Sequence, residues 1–194
     1  MEDRVKKIII QKGAYGYIKN HRLAAAVRTL LFFSVSIGLY VMGYVTTGSN
    51  KNLLTVVAVL GCLPACKSLV NLIIFLKASG CSETLKNTVC IYDKELTTFY
   101  DMYFTSYQKN FAISHMALKG NVLCGVTENA GCDCHGAEKH LEQMLSQEGI
   151  KNVTVKIYSD AGKYIDRLSQ IITLNTAEHK NRDQIINLLY SIIL

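Results

Sequence analysis

Thr29–Val45 (TLLFFSVSIGLYVMGYV) and Leu53–Cys66 (LLTVVAVLGCLPAC) decide how this chain is read. The first run is 17 residues without a charge, preceded by Leu23–Val27 and Arg28. The second continues past Lys67 through Ser68–Leu76. A helix that crosses a bilayer needs about 20 mostly apolar residues, within a range of roughly 17–25. The first run meets this directly, and the second meets it when Lys67 sits near an interface, where its long stem snorkels. Thr46–Asn52 (TTGSNKN) is a short polar connector, so the two helices are expected as antiparallel neighbours in a transmembrane hairpin over residues 23–77. A secretory signal would have a shorter core and a small-residue cleavage site. The long core, followed by Thr-Thr-Gly-Ser-Asn, argues against one.

Charge follows the same division. No acidic residue stands between Asp3 and Glu83. Residues 1–77 carry ten basic and two acidic residues, a net of +8, whereas residues 78–194 carry eleven and thirteen, a net of −2. The whole-chain charge of +6 therefore belongs to the apolar part. This excludes reading the basicity as a nucleic-acid-binding domain, because it is not on the globular part. Charged residues make up 19% of the chain and apolar ones 49%, where a soluble domain carries about 25% charge. That composition excludes disorder and a disulfide-rich secreted scaffold.

Lys and Arg also set the expected orientation. Seven lie in the basic juxtamembrane segment and its continuation through Arg28, Lys51 stands alone in the connector, and Lys77 and Lys86 follow the second helix. The excess of positive charge inside then predicts both termini in the cytoplasm, across a bacterial inner membrane. At 1.5 Å per residue, Arg28 lies roughly 25 Å from the outer end of its run and Lys67 roughly 21 Å from the start of the other. They read as membrane-interface cations paired with anionic lipid. The alternative is a basic constriction in an oligomeric pore. Ser34 and Gly38, and Gly61 and Ala65, have the small-xxx-small spacing that packs a hairpin or drives self-association. Cys62 and Cys66 share a helix face beside Pro64 and read as packing residues. Residues 1–22 form a basic juxtamembrane segment. Val5–Tyr17 (VKKIIIQKGAYGY) is either a short amphipath on the membrane or a strand pairing with the following domain.

Residues 78–194 are long enough for one compact domain, with Ala78–Lys86 as the joint. Glu95–Phe104, Lys109–Leu118 and Asn121–Thr127 read as a β-meander with a turn at Lys119-Gly120-Asn121. Strict alternation puts Phe111, Ile113, His115 and Ala117 on one face. A helix over Gly136–Gln147, a strand over Asn152–Tyr158, a helix capped by Ser159 or Asp160, and a last helix from Thr176 complete an α/β or α+β domain. Parallel pairing of the third and fourth strands makes a βαβ unit. The loop Glu128–Cys134 then sits at a strand's carboxyl end, where such folds place ligands.

That loop opens the densest polar stretch, Glu128–His140 (ENAGCDCHGAEKH). Glu128, Asp133, His135 and Glu138 are its candidate ligand-binding residues. Cys132-x-Cys134-His135 is too tight for a zinc pair, and no second pair follows. Gly131-x4-Gly136 lacks the Lys and Ser or Thr of a phosphate-binding loop, and there is no G-x-G-x-x-G. No cofactor is implied. Asp101 and Glu128 are the carboxylates a nuclease would use, but no E-x-K lies on a strand and the domain is acidic. No nucleophile motif is present, and Cys124 and His115 read as packed strand residues. The seven cysteines are odd in number and are expected as reduced thiols. Phe99, Tyr100, Tyr103, Phe104, Tyr107 and Phe111 read as core, the alternative being that exposed members stack on a nucleotide or a partner.

Leu63–Lys77 (LPACKSLVNLIIFLK), followed by the Tyr-rich strand at Thr98–Tyr107, resembles a group of small bacterial two-helix membrane proteins of unknown function. The resemblance implies an architecture with a cytoplasmic C-terminal domain, and no activity. The expected function is therefore that of a membrane protein whose cytoplasmic domain binds a partner or small ligand. The alternatives are an effector resembling those of bacterial immunity, which sense a nucleotide signal and perturb the membrane, and a membrane-tethered nuclease or hydrolase.

Overall fold

The computed structural model describes residues 12–49, 51–106, 109–173 and 181–194. Two compact units emerge: Ile18–Ala78 forms one, and the described residues up to Tyr17 join Ser79–Leu194 in the other.

The first unit is a helical hairpin, α1 (Tyr17–Thr47) and α2 (Leu53–Lys77), both long and apolar enough to cross a membrane. Only 17% of each helix's most apolar stretch is buried. A core helix of a soluble protein would hide most of it. Asn52 caps α2 by accepting a hydrogen bond from the Thr55 N–H at 2.7 Å. At the other end, Arg22 donates to the carbonyls of Phe75 at 3.2 Å and Ala78 at 2.9 Å, satisfying carbonyls that the end of α2 leaves free. Small residues line the contact. Ala25, Thr29 and Ser36 of α1 are buried, as are Ala58, Ala65 and Ser68 of α2. A Cβ on Gly61 would stand 2.9 Å from the Ser36 hydroxyl. Thr29 and Ser68 share a buried hydroxyl hydrogen bond of 2.8 Å. Gly61 and Ala65 thus pack within the hairpin as expected, but Ser34 and Gly38 face outward and Gly38 has nothing near it. The true spacing on α1 is Ala25, Thr29, Ser36, Gly43, mostly seven residues apart, which is the repeat that keeps one seam against a partner helix. Cys66, expected to pack, is exposed.

The second unit is a four-stranded mixed sheet flanked by helices. Its elements are α3 (Glu83–Val89), β1 (Thr97–Thr105), β2 (Asn110–Lys119), β3 (Val122–Val126), α4 (Cys134–Gln147), β4 (Thr154–Tyr158), α5 (Ala161–Thr173) and α6 (Arg182–Ile192). The strands lie in the order β1-β2-β3-β4; the first two pairings are antiparallel and β3–β4 is parallel. The meander, the connecting helix and the parallel return are those read from the sequence. The joint is not bare linker, because Ser82 caps α3 and Leu85 and Val89 are buried. The expected start of the last helix at Thr176 and the side chain of Tyr107 lie outside the described residues.

Two apolar clusters sandwich the sheet. Phe99, Met102, Phe104, Ile113 and Leu123 pack with Leu141 of α4 and Leu189 of α6. Tyr100, Ala117, Cys124 and Val126 pack with Leu85 of α3 and with Tyr164 and Leu168 of α5. The alternation expected along β2 is broken, since Phe111 and Ile113 join the first cluster and Ala117 the second. The cause is opposite, on β1. Asp101 has φ +54, and the ladder pairs Tyr100 with His115 and Met102 with Ile113 but skips Asp101. A left-handed residue in a strand rotates the residues after it to the other face.

Both sheet edges are covered. On β1, the Tyr100 N–H donates to the Gly13 carbonyl at 2.7 Å, and Phe104 bridges Ile193. On β4, the Ile157 N–H donates to the Glu138 carboxylate at 2.9 Å, and Lys156 lies outside it. Covered edges and edge lysines keep a sheet from pairing with another chain.

Candidate functional site

The four residues singled out in the Glu128–His140 stretch fall into two places. Asp133, His135 and Glu138 gather at the first turn of α4, while Glu128 faces the start of α3. Asp133 is the N-cap of α4, accepting from the Gly136 N–H at 2.9 Å, and its other oxygen pairs with Lys109 at 3.1 Å. The Gly136 N–H, helped by Lys109, holds the Asp133 carboxyl below the usual range. His135 is exposed and stands 3.6 Å from Glu138. Glu138 is buried, and burial alone would raise its carboxyl. The Ile157 N–H, Lys156 at 3.0 Å and His135 outweigh that and hold it low. Glu128 accepts from the Ser82 N–H at 2.8 Å and from its hydroxyl at 2.5 Å, steadying the residue that caps α3.

Asp101 and Glu128, the carboxylates a nuclease would use, do come together. They grip successive residues. Asp101 accepts from the Cys81 N–H at 2.6 Å and from the Gly16 N–H at 2.8 Å, and Glu128 takes Ser82. Each carboxylate is therefore already turned toward main-chain donors of its own chain. Among the described residues no group of three or more His, Cys, Asp and Glu is placed to hold a metal ion.

A buried polar chain appears that spacing could not have shown. The His115 ring is fully buried; its Nδ1 lies 2.7 Å from the Tyr164 hydroxyl, and its Nε2 lies 3.8 Å from an Asp93 oxygen without a hydrogen-bond partner. Tyr100 donates to the other Asp93 oxygen at 2.8 Å. Burial lowers the His115 pKa to about 4, against the opposing pull of Asp93, so the ring is neutral near pH 7. Burial also pushes the thiols of Cys81 and Cys124 up to about 12, which makes them poor nucleophiles. Asp93, Tyr100, His115 and Tyr164 come from four different segments, so no local motif could announce them.

One concave surface of this unit is an open cleft of about 940 Å³ between α4, α6 and the far end of the β1–β2 hairpin. Phe111, Met144 and Ile192 supply apolar walls, and Lys139, His140 and Gln143 supply polar groups from α4. His140 lies 5.8 Å from Phe111, ring to ring, and burial lowers its pKa. Lys109 and Asp133 also reach the cleft, where their ion pair neutralises both. Asp133 is the one sequence candidate found there. Its helical neighbours Lys139 and Gln143 carried no signal, because an exposed Lys or Gln on a helix is what any solvated face shows. Neither a protein family, nor a curated protein, nor a solved structure matches this chain.

Proposed function

We propose that this chain is a two-pass membrane protein, both ends cytoplasmic, whose C-terminal domain binds a small organic ligand in the cleft beside α4. The cleft carries the reading. Its volume falls in the range of about 300–1,000 Å³ common for ligand pockets, and it joins apolar walls to a few polar groups. With Lys109 and Asp133 paired to each other, Lys139 is the lining side-chain cation left to meet an anion. The suitable ligand has a flat or apolar body to lie on Phe111, Met144 and Ile192 and one acidic group to meet Lys139. Catalysis is the weaker reading, because Glu128, Glu138 and Asp101 are committed to main-chain donors and the buried thiols are held protonated. Phe111 and His140 side by side favour one second reading, in which the ligand is a nucleotide and the hairpin responds to it.

A thermal-shift screen of the detergent-solubilised full chain against nucleotides and aromatic carboxylates tests both. A ligand at 100 times its dissociation constant should stabilise the domain by about 2.7 kcal/mol. Lys139→Gln should reduce that shift for acidic ligands and leave the unliganded stability unchanged. A screen with no hit, or hits indifferent to Lys139→Gln and Gln143→Ala, would remove the cleft from consideration.

A further inference from the structure

The hairpin holds an arrangement of charge that its helix geometry makes specific. Thr29 and Ser68 face each other across the seam, joined at 2.8 Å and buried, so they mark one level of both helices. Arg28 and Lys67 each stand one residue back along the chain from that pair. One step turns a helix by 100° and shifts it by 1.5 Å. In antiparallel helices the two backward steps turn in opposite senses when viewed along one common direction. Arg28 and Lys67 therefore project from the same side of the hairpin, within about 3 Å of the same level. Had the helices been parallel, the two would lie on opposite sides.

Both side chains are exposed, and neither has an ion-pair partner among the described residues. The hairpin cannot supply one, because no carboxylate stands between Asp3 and Glu83. Arg22, the next cation toward the loop-distal end, is spent on the carbonyls of Phe75 and Ala78. The level lies roughly 22–27 Å from the loop ends of α2 and α1 at 1.5 Å per residue, against a hydrocarbon thickness of about 30 Å. Two cations at that depth on an apolar surface must reach an anion that lies at the same interface. The axes of packed helices are 8–10 Å apart, and a long stem on each side lets both heads meet one phosphodiester.

We propose that Arg28 and Lys67 form a two-armed clamp for the headgroup phosphate of an anionic phospholipid on one side of the hairpin, a site that rests on the membrane-spanning reading above. The arms are unequal. Side chains on a helix lean toward its N-terminus, which is loop-distal for α1 and loop-proximal for α2. Arg28 thus leans toward the headgroups and Lys67 away from them, and guanidinium also matches a phosphate with two parallel donors.

The test uses the full chain in mixed micelles, titrated with acyl-labelled phosphatidylglycerol or phosphatidylcholine. Phosphatidylglycerol should bind at least tenfold tighter. Each of Arg28→Gln and Lys67→Gln should lower its affinity roughly fivefold, the equivalent of about 1 kcal/mol per cation, with Arg28→Gln the larger loss. Arg28→Lys should retain most of the preference, and Lys51→Gln in the connector all of it. If the double variant fails to fold, the single variants and Arg28→Lys still decide the matter. Equal binding of the two lipids, a preference untouched by both Gln variants, or displacement by inorganic phosphate at the lipid's concentration overturns the clamp. Extraction of the chain from membranes by alkaline carbonate would instead overturn the membrane reading, so the two failures are separable.

Discussion

His115 shows how one residue can carry the pH dependence of the domain. Its ring is fully buried between Tyr164 and Asp93 and beside Tyr100, 4.6 Å from it ring to ring. In the unfolded chain the imidazole titrates near 6.5, and in the fold near 4. Between those values the unfolded state binds the extra proton, so stability rises with pH across that window. The stability is fully present above about 6.5 and is lost as pH falls toward about 4, by roughly 3 kcal/mol at most. Denaturant unfolding of the full chain between pH 4 and 7 should show that slope, and His115→Gln should remove the larger part of it, the rest belonging to His140, whose pKa burial also lowers. A slope unchanged in His115→Gln would place the titration elsewhere. The sequence showed His115 as a packed strand residue, which it is. It could not show Asp93, Tyr100 and Tyr164 around it, because Tyr100 arrives with the β1–β2 register, Asp93 with the turn after α3, and Tyr164 with α5 packed on the sheet.

Among the elements, β3 is hemmed in on both sides. Gly125 pairs with Met116 on one side and Ile157 on the other. A Cβ there would stand 3.0 Å from Ile157 Cδ1, 3.0 Å from Met116 Cγ and 3.1 Å from Ile113 Cγ2. Gly125→Ala should therefore destabilise the domain by about 1–3 kcal/mol through overpacking, measured by thermal unfolding. The same change at Gly131, whose Cβ would meet a side chain only at 3.5 Å, should stay within about 0.5 kcal/mol. Strand and helix order were legible because β-branched and aromatic runs, turn residues and 3.6-residue periodicity are local. Face assignment failed where a local rule was broken from outside. Phe99 and Met102 are three apart yet join one cluster, because Asp101 turns the strand between them. Likewise Ser34-x3-Gly38 carries the small-residue spacing, but only the contact with α2 decides which small residues meet, and it selects Ala25, Thr29 and Ser36. The candidate acids were chosen by residue type, and type does not show that Glu138 accepts the Ile157 N–H at the edge of the sheet.

For the whole molecule, the Asp101 carboxylate is where the chain on both sides of the hairpin is fastened. It accepts the N–H of Gly16, just before α1, and of Cys81, just after α2, while remaining only 3% exposed. Those two nitrogens are then less than about 8 Å apart, the sum of two hydrogen bonds and a carboxylate's width. Gly13 and Lys12 add contacts to Tyr100 and Ile193, so residues 12–17 belong with the sheet despite preceding the hairpin in sequence. A chain of residues 79–194 alone would leave the Tyr100 N–H and one arm of Asp101 without partners. Each such buried group costs about 1–3 kcal/mol. Replacing residues 18–78 by a flexible linker of a few Gly and Ser residues should restore both contacts at little closure cost, since the ends are so near. We expect the spliced chain to exceed residues 79–194 by at least about 2 kcal/mol in urea unfolding. Asp101→Ala should erase most of that margin, both by losing the acceptor and by placing a Cβ-only residue at φ +54. Asp101→Asn, which tolerates that backbone and keeps one acceptor oxygen, should retain part of it. Equal stability of the two chains would mean that residues 12–17 lie on the sheet without holding it, and that Asp101 fastens only the α3 side.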